Sequence, residues 1–316
     1  MRSAVYTGLL LLSAAACAQQ PGTRTVPDAH NCYPYGGRWS NRIDVALAAG
    51  LPVAIEQDLH WYEPGGGTPP RSVLSHDPPS GSEPGMEQYF FERVRPLVEA
   101  ALKNPDRSQW PLITLNLDFK SNAPEHLRAA WRLLEKYRDW LTTAVKTGDG
   151  RPQPLAYGPI LVLNGIAGEQ QKVFYDDVPA GARLLTFGAV RPDEEGASNY
   201  RRWRQLSWSS IEPEGQPKAG PWTPEKQKRL EAIVDRAHSQ GLWIRFYCLD
   251  GVSQSELAER GIFETYNFPS PEAARRRWDA AIAAGVDYLA SDQYAELGQF
   301  IRERARSPRA AAPSDR

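Results

Sequence analysis

The sequence of 316 residues has almost no excess of either charge, because 37 lysines and arginines face 38 aspartates and glutamates. Proteins that bind nucleic acid through their charge show a basic excess, so that class is excluded. No apolar run reaches the roughly 18 residues of a membrane span. Glycine and proline follow no collagen-like period, and an apolar fraction of 41% is enough for a packed core. The composition therefore predicts a globular protein.

Residues 1–17 have the pattern of a secretory signal peptide. Arg2 precedes the short apolar stretch Tyr6–Ala16, and small residues close that stretch. A positive end, a short apolar middle and a small-residue exit are typical of an export signal, with a short buried helix as the alternative. Cys17 could also carry the lipid of a bacterial lipoprotein, although Ala14 stands where such sites usually have leucine. We expect a periplasmic or secreted protein, either free or anchored to a membrane through Cys17.

Only three cysteines occur, and removal of the signal leaves Cys32 and Cys248. Two thiols in an exported protein can pair, but their separation in sequence does not give their distance in space. They match no metal-ligand pattern. Two buried free thiols are the interpretation that we favour.

Short apolar strands alternate with amphipathic helices over residues 25–305. Thr223-Pro224-Glu225 and Ser270-Pro271-Glu272 each combine a capping residue with proline at the first helical position, which is typical of a helix start. The predicted strands are Val26–Asn31, Pro52–Leu59, Leu112–Phe119, Ile160–Asn164, Arg183–Phe187, Gln205–Ser209, Leu242–Leu249 and Val286–Ser291. Eight strands alternating with helices predict a single α/β domain, a (β/α)8 TIM-type barrel.

A doubly wound open sheet is the alternative architecture, but no G-x-G-x-x-G follows the first predicted strand. Gly65-Gly66-Gly67 lies in a proline-rich loop that opens no helix, which indicates a flexible turn. Residues 306–316 are rich in proline, alanine and arginine and predict a disordered tail.

Polar side chains collect at the predicted strand ends, where barrels of this type place their chemistry. They are His30 and Asn31, then Glu56 and Asp58, then His76 in a loop, and finally Asn116, Asp118 and Lys120. Adjacent buried acids repel one another and need a compensating cation. Oxygen ligands from Glu56, Asp58 and Asp118 suit one divalent cation, Mg²⁺ or Ca²⁺, better than zinc.

Two histidines in this group are suited to act as base and acid near neutral pH. Lys120 adds a fixed positive charge that is useful on a phosphate oxygen. Taken singly, a Glu-x-Asp pair is usually a solvated edge and a histidine is usually structural. We assign His60, His126 and His238 to that structural category. The combination at consecutive strand ends favours a functional site.

These motifs resemble, in order, those of the phospholipase C-like phosphodiesterase superfamily. That superfamily includes glycerophosphodiester phosphodiesterases, phosphatidylinositol-specific phospholipases C and spider-type sphingomyelinases D. The matching motifs are His30-Asn31, Glu56-x-Asp58, Ser75-His76-Asp77, Asp118-x-Lys120 and the segment from Gly285 to Asp292. The resemblance runs from residue 30 to about 297, and it implies a metal-dependent phosphodiesterase on a TIM-type barrel.

The resemblance also implies roles for individual residues. His30 and His76 match the acid/base pair, and Glu56, Asp58 and Asp118 match the metal ligands. Substrate contacts are implied for Asn31, Lys120, Tyr247 and Asp250. In the implied reaction a substrate hydroxyl attacks phosphorus, a cyclic phosphate forms, and the histidines move the protons. The implied substrate is a glycerophosphodiester or a phospholipid or sphingolipid headgroup.

The sequence departs from the pattern of the glycerophosphodiester phosphodiesterases. His30-Asn31 replaces their usual His-Arg, Asp118 replaces a common glutamate, and Gln293-Tyr294 replaces Tyr-Pro. The metal and histidine set is present, but these changes leave the exact substrate unspecified.

Aromatic residues flank the predicted mouth of the barrel, namely Tyr33, Tyr35, Trp39, Trp61 and Tyr62. Loop packing is the favoured explanation, and contact with a headgroup or a membrane interface is the alternative. Two other functions stay open. One is a secreted TIM-barrel glycoside hydrolase, which needs two carboxylates astride a sugar bond. The other is a non-catalytic extracytoplasmic binding protein on the same barrel.

Overall fold

The computed structural model describes residues 20–35 and 37–306, and the structural statements below concern this part of the chain. The predicted signal peptide and residues 307–316 of the predicted tail lie outside it. Within these ranges no helix combines the length and the apolar character needed to cross a membrane.

Eight parallel strands close into a barrel, which confirms the predicted (β/α)8 fold. They are β1 (Val26–Ala29), β2 (Val53–Tyr62), β3 (Ile113–Phe119), β4 (Ile160–Asn164), β5 (Phe187–Ala189), β6 (Arg201–Ser207), β7 (Trp243–Tyr247) and β8 (Tyr288–Ser291). Each strand pairs with the next, and β1 closes the barrel by pairing with both β2 and β8. A short strand, Arg71–Leu74, pairs antiparallel with the far end of β2.

Helices follow the strands around the outside of the barrel. They are α1 (Arg42–Ala48), α2 (Glu92–Lys103), α3 (Pro124–Lys136), α4 (Gly168–Gln171), α5 (Pro224–Ser239), α6 (Glu256–Arg260), α7 (Pro271–Ala283) and α8 (Tyr294–Arg306). The predicted caps are present, since the side chains of Thr223 and Ser270 accept hydrogen bonds from the first turns of α5 and α7. Both helices have proline at their first position, where its missing N–H costs nothing.

The strand bounds differ from the predicted ones by up to four residues, and the fifth and sixth strands differ most at their starts. The fifth begins at Phe187, because Arg183–Leu184 instead pairs with Ala144–Val145 in a small ribbon outside the barrel. The sixth begins at Arg201, four residues before its predicted start. A search for runs of apolar residues misses its first half, because three of its first four residues are arginines. The fold accommodates them because the Arg201 guanidinium donates to backbone carbonyls and to a glutamine.

Large apolar side chains fill the amino-terminal half of the barrel interior. They come from strands all around the barrel and include Ala54, Leu161, Trp203, Trp243 and Tyr288. This half is therefore a packed core, and the polar residues of the strands lie above it, towards the carboxyl ends. Cys32 and Cys248 are buried and free, as we favoured from the sequence.

His126 of α3 is a buried structural histidine, in the category to which the sequence assigned it. Its Nε2 lies 2.8 Å from Ser72 Oγ and its Nδ1 lies 2.9 Å from the carbonyl of Ser121. The ring stacks on Trp61 at a centroid distance of 5.5 Å. Burial lowers the pKa of His126 from 6.5 to about 4. The fold therefore requires the neutral imidazole.

His126 should make the fold sensitive to acid. The unfolded chain binds a proton at His126 below pH 6.5, while the folded chain resists it until about pH 4. Stability is thus present above the unfolded pKa and is lost as the pH falls. Between about pH 7.5 and about pH 5, we expect the free energy of unfolding to fall by about 2 kcal/mol more in the wild type than in His126→Gln. Urea unfolding at both pH values measures this, and an equal fall in both proteins would contradict it.

Candidate active site

A cavity of about 300 Å³ opens at the carboxyl end of the barrel. Its lining residues are His30, Asn31, Glu56, Asp58, His76, Asp118, Lys120, Gln205, Arg245, Tyr247, Phe263, Thr265 and Tyr266. The structure thus brings together every residue that the sequence proposed for the site except Asp250 and Asn116, and the Asn116 amide donates to Glu56 Oε1 over 3.5 Å. The strands position most of them, because the carboxyl ends of parallel strands meet at one end of a barrel.

His30 follows β1, and carboxylates hold its ring from two sides. Nδ1 lies 2.8 Å from Asp292 Oδ1, and Nε2 lies 3.5 Å from Glu56 Oε2. The register explains this, because β1 runs between β2 and β8. Burial alone would lower the pKa of His30, but Glu56 and Asp292 outweigh it and raise the pKa to about 9. His30 therefore carries a proton at neutral pH.

Glu56, Asp58 and Asp118 form an acidic cluster in which one oxygen of each lies within 4.8 Å of the others. Strands β2 and β3 pair with Asp58 directly beside Asp118. Burial, with Glu56 and Asp118 nearby, raises the pKa of Asp58 to about 7. Burial also opposes the ionisation of Glu56, but Arg245 and His30 outweigh it and lower its pKa. The cluster therefore stores electrostatic repulsion that a cation would relieve.

Lys120 lies at the rim of this cluster, directly after β3. Its Nζ is 2.8 Å from Asp118 Oδ2 and 3.1 Å from Asp58 Oδ2. Burial disfavours the ammonium, but the two carboxylates outweigh it and raise its pKa. The hydrogen bonds and ion pairs described for both aspartates end on Oδ2, so Oδ1 of each is available to a further cation.

The donor atoms of the acidic cluster, rather than a count of charges, are what fits a divalent ion. All the candidate ligands are carboxylate oxygens, the donors that Mg²⁺ and Ca²⁺ prefer. The residues present therefore fit such an ion.

His76 reaches the cavity from a loop rather than from a barrel strand. The Ser75 backbone N–H donates to the carbonyl of Asp58 over 3.0 Å, which fixes the start of that loop. The His76 side chain is 48% exposed, and its Nδ1 lies 2.9 Å from Asp77 Oδ1. The two cavity histidines thus differ strongly, since His30 is buried and His76 is open to solvent.

Aromatic rings wall the cavity beside His30. Tyr247, at the end of β7, stacks on the His30 ring at 6.2 Å, and Tyr266 meets it edge-on at 5.9 Å. Tyr266 and Phe263 belong to residues 252–268, which we call the strap. The sequence did not point to the strap, because it has no strand-end motif. The available signal in the sequence was Phe263, an aromatic residue in the segment after the seventh predicted strand.

Asp250 lies outside the cavity lining, unlike the position expected from the motif. Cys248, directly after β7, adopts a positive φ of 70°. Asp250 Oδ1 instead accepts hydrogen bonds from Ser291 Oγ at 2.6 Å and from the Asp292 backbone N–H at 2.7 Å. Asp250 thus supports the segment that carries Asp292. Asp292, the partner of His30, had been given no role in the sequence analysis.

Asn31 lines the cavity in a left-handed conformation with φ of 51°. Its backbone N–H donates to Glu56 Oε2 over 3.2 Å, and its amide lies 3.2 Å from Asp292 Oδ1. Its Oδ1 lies 3.0 Å from the hydroxyl of Tyr33. Asn31 therefore fastens both partners of His30, and this position favours asparagine because its side chain tolerates a positive φ.

The aromatic residues predicted at the mouth pack against protein groups. The Tyr33 hydroxyl donates to Asp58 Oδ2 over 2.7 Å, and the Trp39 indole donates to the carbonyl of Glu259 in the strap. Trp61 stacks on a buried histidine of α3. These contacts fit the loop-packing explanation favoured from the sequence.

No protein-family model matches the chain, and no curated protein matches it. Among solved structures, it is similar to a glycerophosphodiester phosphodiesterase from Parabacteroides distasonis at 12% identity and a TM-score of 0.49, over 89% of this chain and 98% of that one. A glycerophosphoryl diester phosphodiesterase from the same organism shows 13% identity and a TM-score of 0.46, over 89% and 87%.

A tri-modular GH5 endo-β-1,4-glucanase from Bacillus licheniformis shows 10% identity and a TM-score of 0.47, over 90% of this chain and 60% of that one. Likenesses of this size do not assign a reaction. The chemistry of the cavity has to be inferred from its own residues.

Replacing Asp292 should lower the pKa of His30. In Asp292→Asn one of the two carboxylates that stabilise the imidazolium is gone, and we expect a fall of about 1 to 3 units. Proton NMR titration of the imidazole signals measures it. Asp77→Asn is the matched control, because it removes the carboxylate partner of the exposed His76 and should leave His30 unchanged. An unchanged His30 pKa in Asp292→Asn would contradict the prediction.

Proposed function

We propose that the protein is a metal-dependent phosphodiesterase whose reaction takes place in this cavity. One observation carries the proposal. A single cavity joins His30, His76 and Lys120 to the acidic cluster of Glu56, Asp58 and Asp118. Cleavage of a phosphodiester needs two groups that move protons and positive charge on the phosphoryl oxygens, and this cavity supplies both. A protein that only binds a ligand has no need of two cavity histidines, one buried and one exposed.

The phosphoryl group would be held by positive charge at the acidic cluster. A divalent ion, Mg²⁺ or Ca²⁺, held by Glu56, Asp58 and Asp118 would neutralise negative charge on the phosphoryl oxygens. Lys120 is anchored by two of these carboxylates and presents a second, fixed cation at the rim. Asn31 lines the same cavity.

The histidines take opposite roles because their surroundings differ. His30 is protonated at neutral pH, so it serves as the acid that gives its proton to the leaving oxygen. His76 is exposed and anchored through Nδ1, which leaves Nε2 to accept the proton of the attacking hydroxyl. As the new P–O bond forms, the bond to the leaving oxygen breaks. The attacking hydroxyl belongs to the substrate, giving a cyclic phosphate, or to water, giving hydrolysis.

The size and the walls of the cavity favour a headgroup-sized substrate. A volume of about 300 Å³ is at the small end of the range for ligand sites. A glycerophosphodiester or a phospholipid or sphingolipid headgroup fits this size, and any acyl chains would stay outside. The exposed Phe263 on the strap offers an apolar surface at the entrance. The sequence of residues 1–17 supports action outside the cytoplasm.

Removal of the acid or of one ligand should abolish turnover while leaving the fold intact. We expect His30→Ala and Asp58→Asn to lower kcat by about 10² to 10⁴. Hydrolysis of bis(4-nitrophenyl) phosphate and phosphorus NMR of a glycerophosphodiester measure it, with circular dichroism reporting the fold. His60→Ala is the matched control, because this histidine lies on β2 outside the cavity. Full activity in both site variants would contradict the proposal.

Ion binding should depend on the ionisation of Asp58. Its pKa of about 7 means that a proton competes with the ion in acid, so the affinity for Mg²⁺ or Ca²⁺ should rise with pH. Between about pH 6 and about pH 8 we expect about a tenfold gain. Calorimetric titration of the chelator-treated protein measures it, beside Asp58→Ala and Asp118→Ala, which should lose binding. Equal affinity at both pH values, or binding retained in both variants, would contradict it.

A further inference from the structure

The charged side chains of Asp28, Arg245 and Glu56 form a buried line inside the barrel, and Glu56 at its end faces His30. The Arg245 Nε of β7 donates to Asp28 Oδ2 of β1, and its Nη2 lies 3.2 Å from Glu56 Oε1 of β2. Its Nη1 lies 3.4 Å from Gln205 Oε1 of β6. The guanidinium therefore contacts three different strands from a fourth, and each contact uses a different nitrogen.

Burying these charges costs hydration free energy, and apolar side chains could fill the same space. The side chains of Asp28 and Arg245 are 1% and 2% exposed, so both have lost almost all of their hydration. Replacing a buried ion pair by apolar residues of similar volume is often neutral or stabilising. The layer of the barrel directly below is built in that way, with Trp203, Trp243 and Tyr288. The charged layer is therefore not explained by stability alone.

The orientation of Glu56 is the feature that this line determines. Oε1 faces Arg245, whereas Oε2 accepts from the Asn31 backbone N–H at 3.2 Å and faces His30 Nε2. A free glutamate side chain rotates about its last bond, so a carboxylate used for binding or catalysis must be held by its neighbours. On the side opposite to His30, Glu56 Oε1 has the ion pair with Arg245 and a hydrogen bond from the Asn116 amide at 3.5 Å.

We propose that Arg245, itself fixed by Asp28, is a positioning residue that holds Glu56 in the orientation used by the site. This inference rests on the proposed function, because Glu56 is one of the proposed ion ligands. Lysine could not replace arginine here, since a single ammonium cannot reach Asp28 and Glu56 along the two directions that the planar guanidinium spans.

Because Arg245 is paired with Asp28, the effect of its contact with Glu56 can be measured separately from the effect of its charge. A lone cation beside an ion site would weaken ion binding by repulsion, but the adjacent carboxylate of Asp28 offsets that effect. Replacing both partners by neutral side chains therefore changes the net charge of the layer very little. A change in ion affinity would then report the loss of the contact that orients Glu56.

The test compares the wild type with Asp28→Leu/Arg245→Met, in which apolar side chains replace the ion pair. We expect the calorimetric affinity for Mg²⁺ or Ca²⁺ to fall at least tenfold while circular dichroism stays unchanged. We expect a similar loss in Arg245→Lys, which keeps the charge but not the fork. Arg277→Lys is the matched control, because Arg277 is equally buried and bidentate on Glu212 but lies outside the cavity. Its ion affinity should match that of the wild type.

Crystal structures of the chelator-treated proteins keep the inference separate from the proposed function. In Asp28→Leu/Arg245→Met we expect Glu56 to lose its contacts with Asn31 and His30. Glu56 unmoved in the double variant, or wild-type ion affinity in both Arg245 variants, would overturn the positioning role. If the wild type binds no divalent ion, the proposed function fails, and the place of Glu56 in the two crystal structures still decides the role of Arg245.

Discussion

The repulsion between neighbouring carboxylates at the open end of the barrel, two of them buried, is the constraint on which the site depends. Glu56 and Asp58 alternate along β2, and the register of β3 adds Asp118 directly beside Asp58. Such a cluster is unstable without positive charge close by. The protein supplies that charge on three sides, from His30, Lys120 and Arg245.

The same constraint sets the protonation of the groups around the cluster. Glu56 stays ionised because Arg245 and His30 face it, whereas Asp58 is pushed towards the neutral form by its carboxylate neighbours. His30 is kept protonated by Glu56 and Asp292. These shifts are mutual, so the state of each group depends on its partners. A change of charge at one position is therefore felt at the others.

Much of the site could be predicted from the sequence because a barrel converts strand order into proximity. His30, Glu56, Asp58 and Asp118 all follow from the period of two in a strand and from the meeting of strand ends. That rule applies along a strand and between strands adjacent in sequence. Arg245 could not be found in this way, since its partners come from β1, β2 and β6, and an arginine inside an apolar strand has no motif to mark it.

Local backbone geometry accounts for the other differences. A motif position predicts that Asp250 lines the cavity, but after the positive φ of Cys248 its carboxylate instead accepts from the Asp292 backbone N–H. The start of the arginine-rich β6 is not recognised as a strand by its apolar content, because its arginine is buried through hydrogen bonds to backbone carbonyls.

Side chains on the strands and side chains on the loops, including the strap, differ in how firmly they are held. Side chains on the strands are buried, paired and fixed in register, which suits groups that must hold charge at set distances. His76 and Phe263 lie on loops and are exposed, so their contacts are not fixed by the barrel. The strap is nevertheless tied to the loop after β1, since Gly261 O accepts from the Tyr35 hydroxyl over 2.8 Å. Under the proposed function, a change in the strap would therefore alter substrate selection while the charged side chains on the strands stay in place.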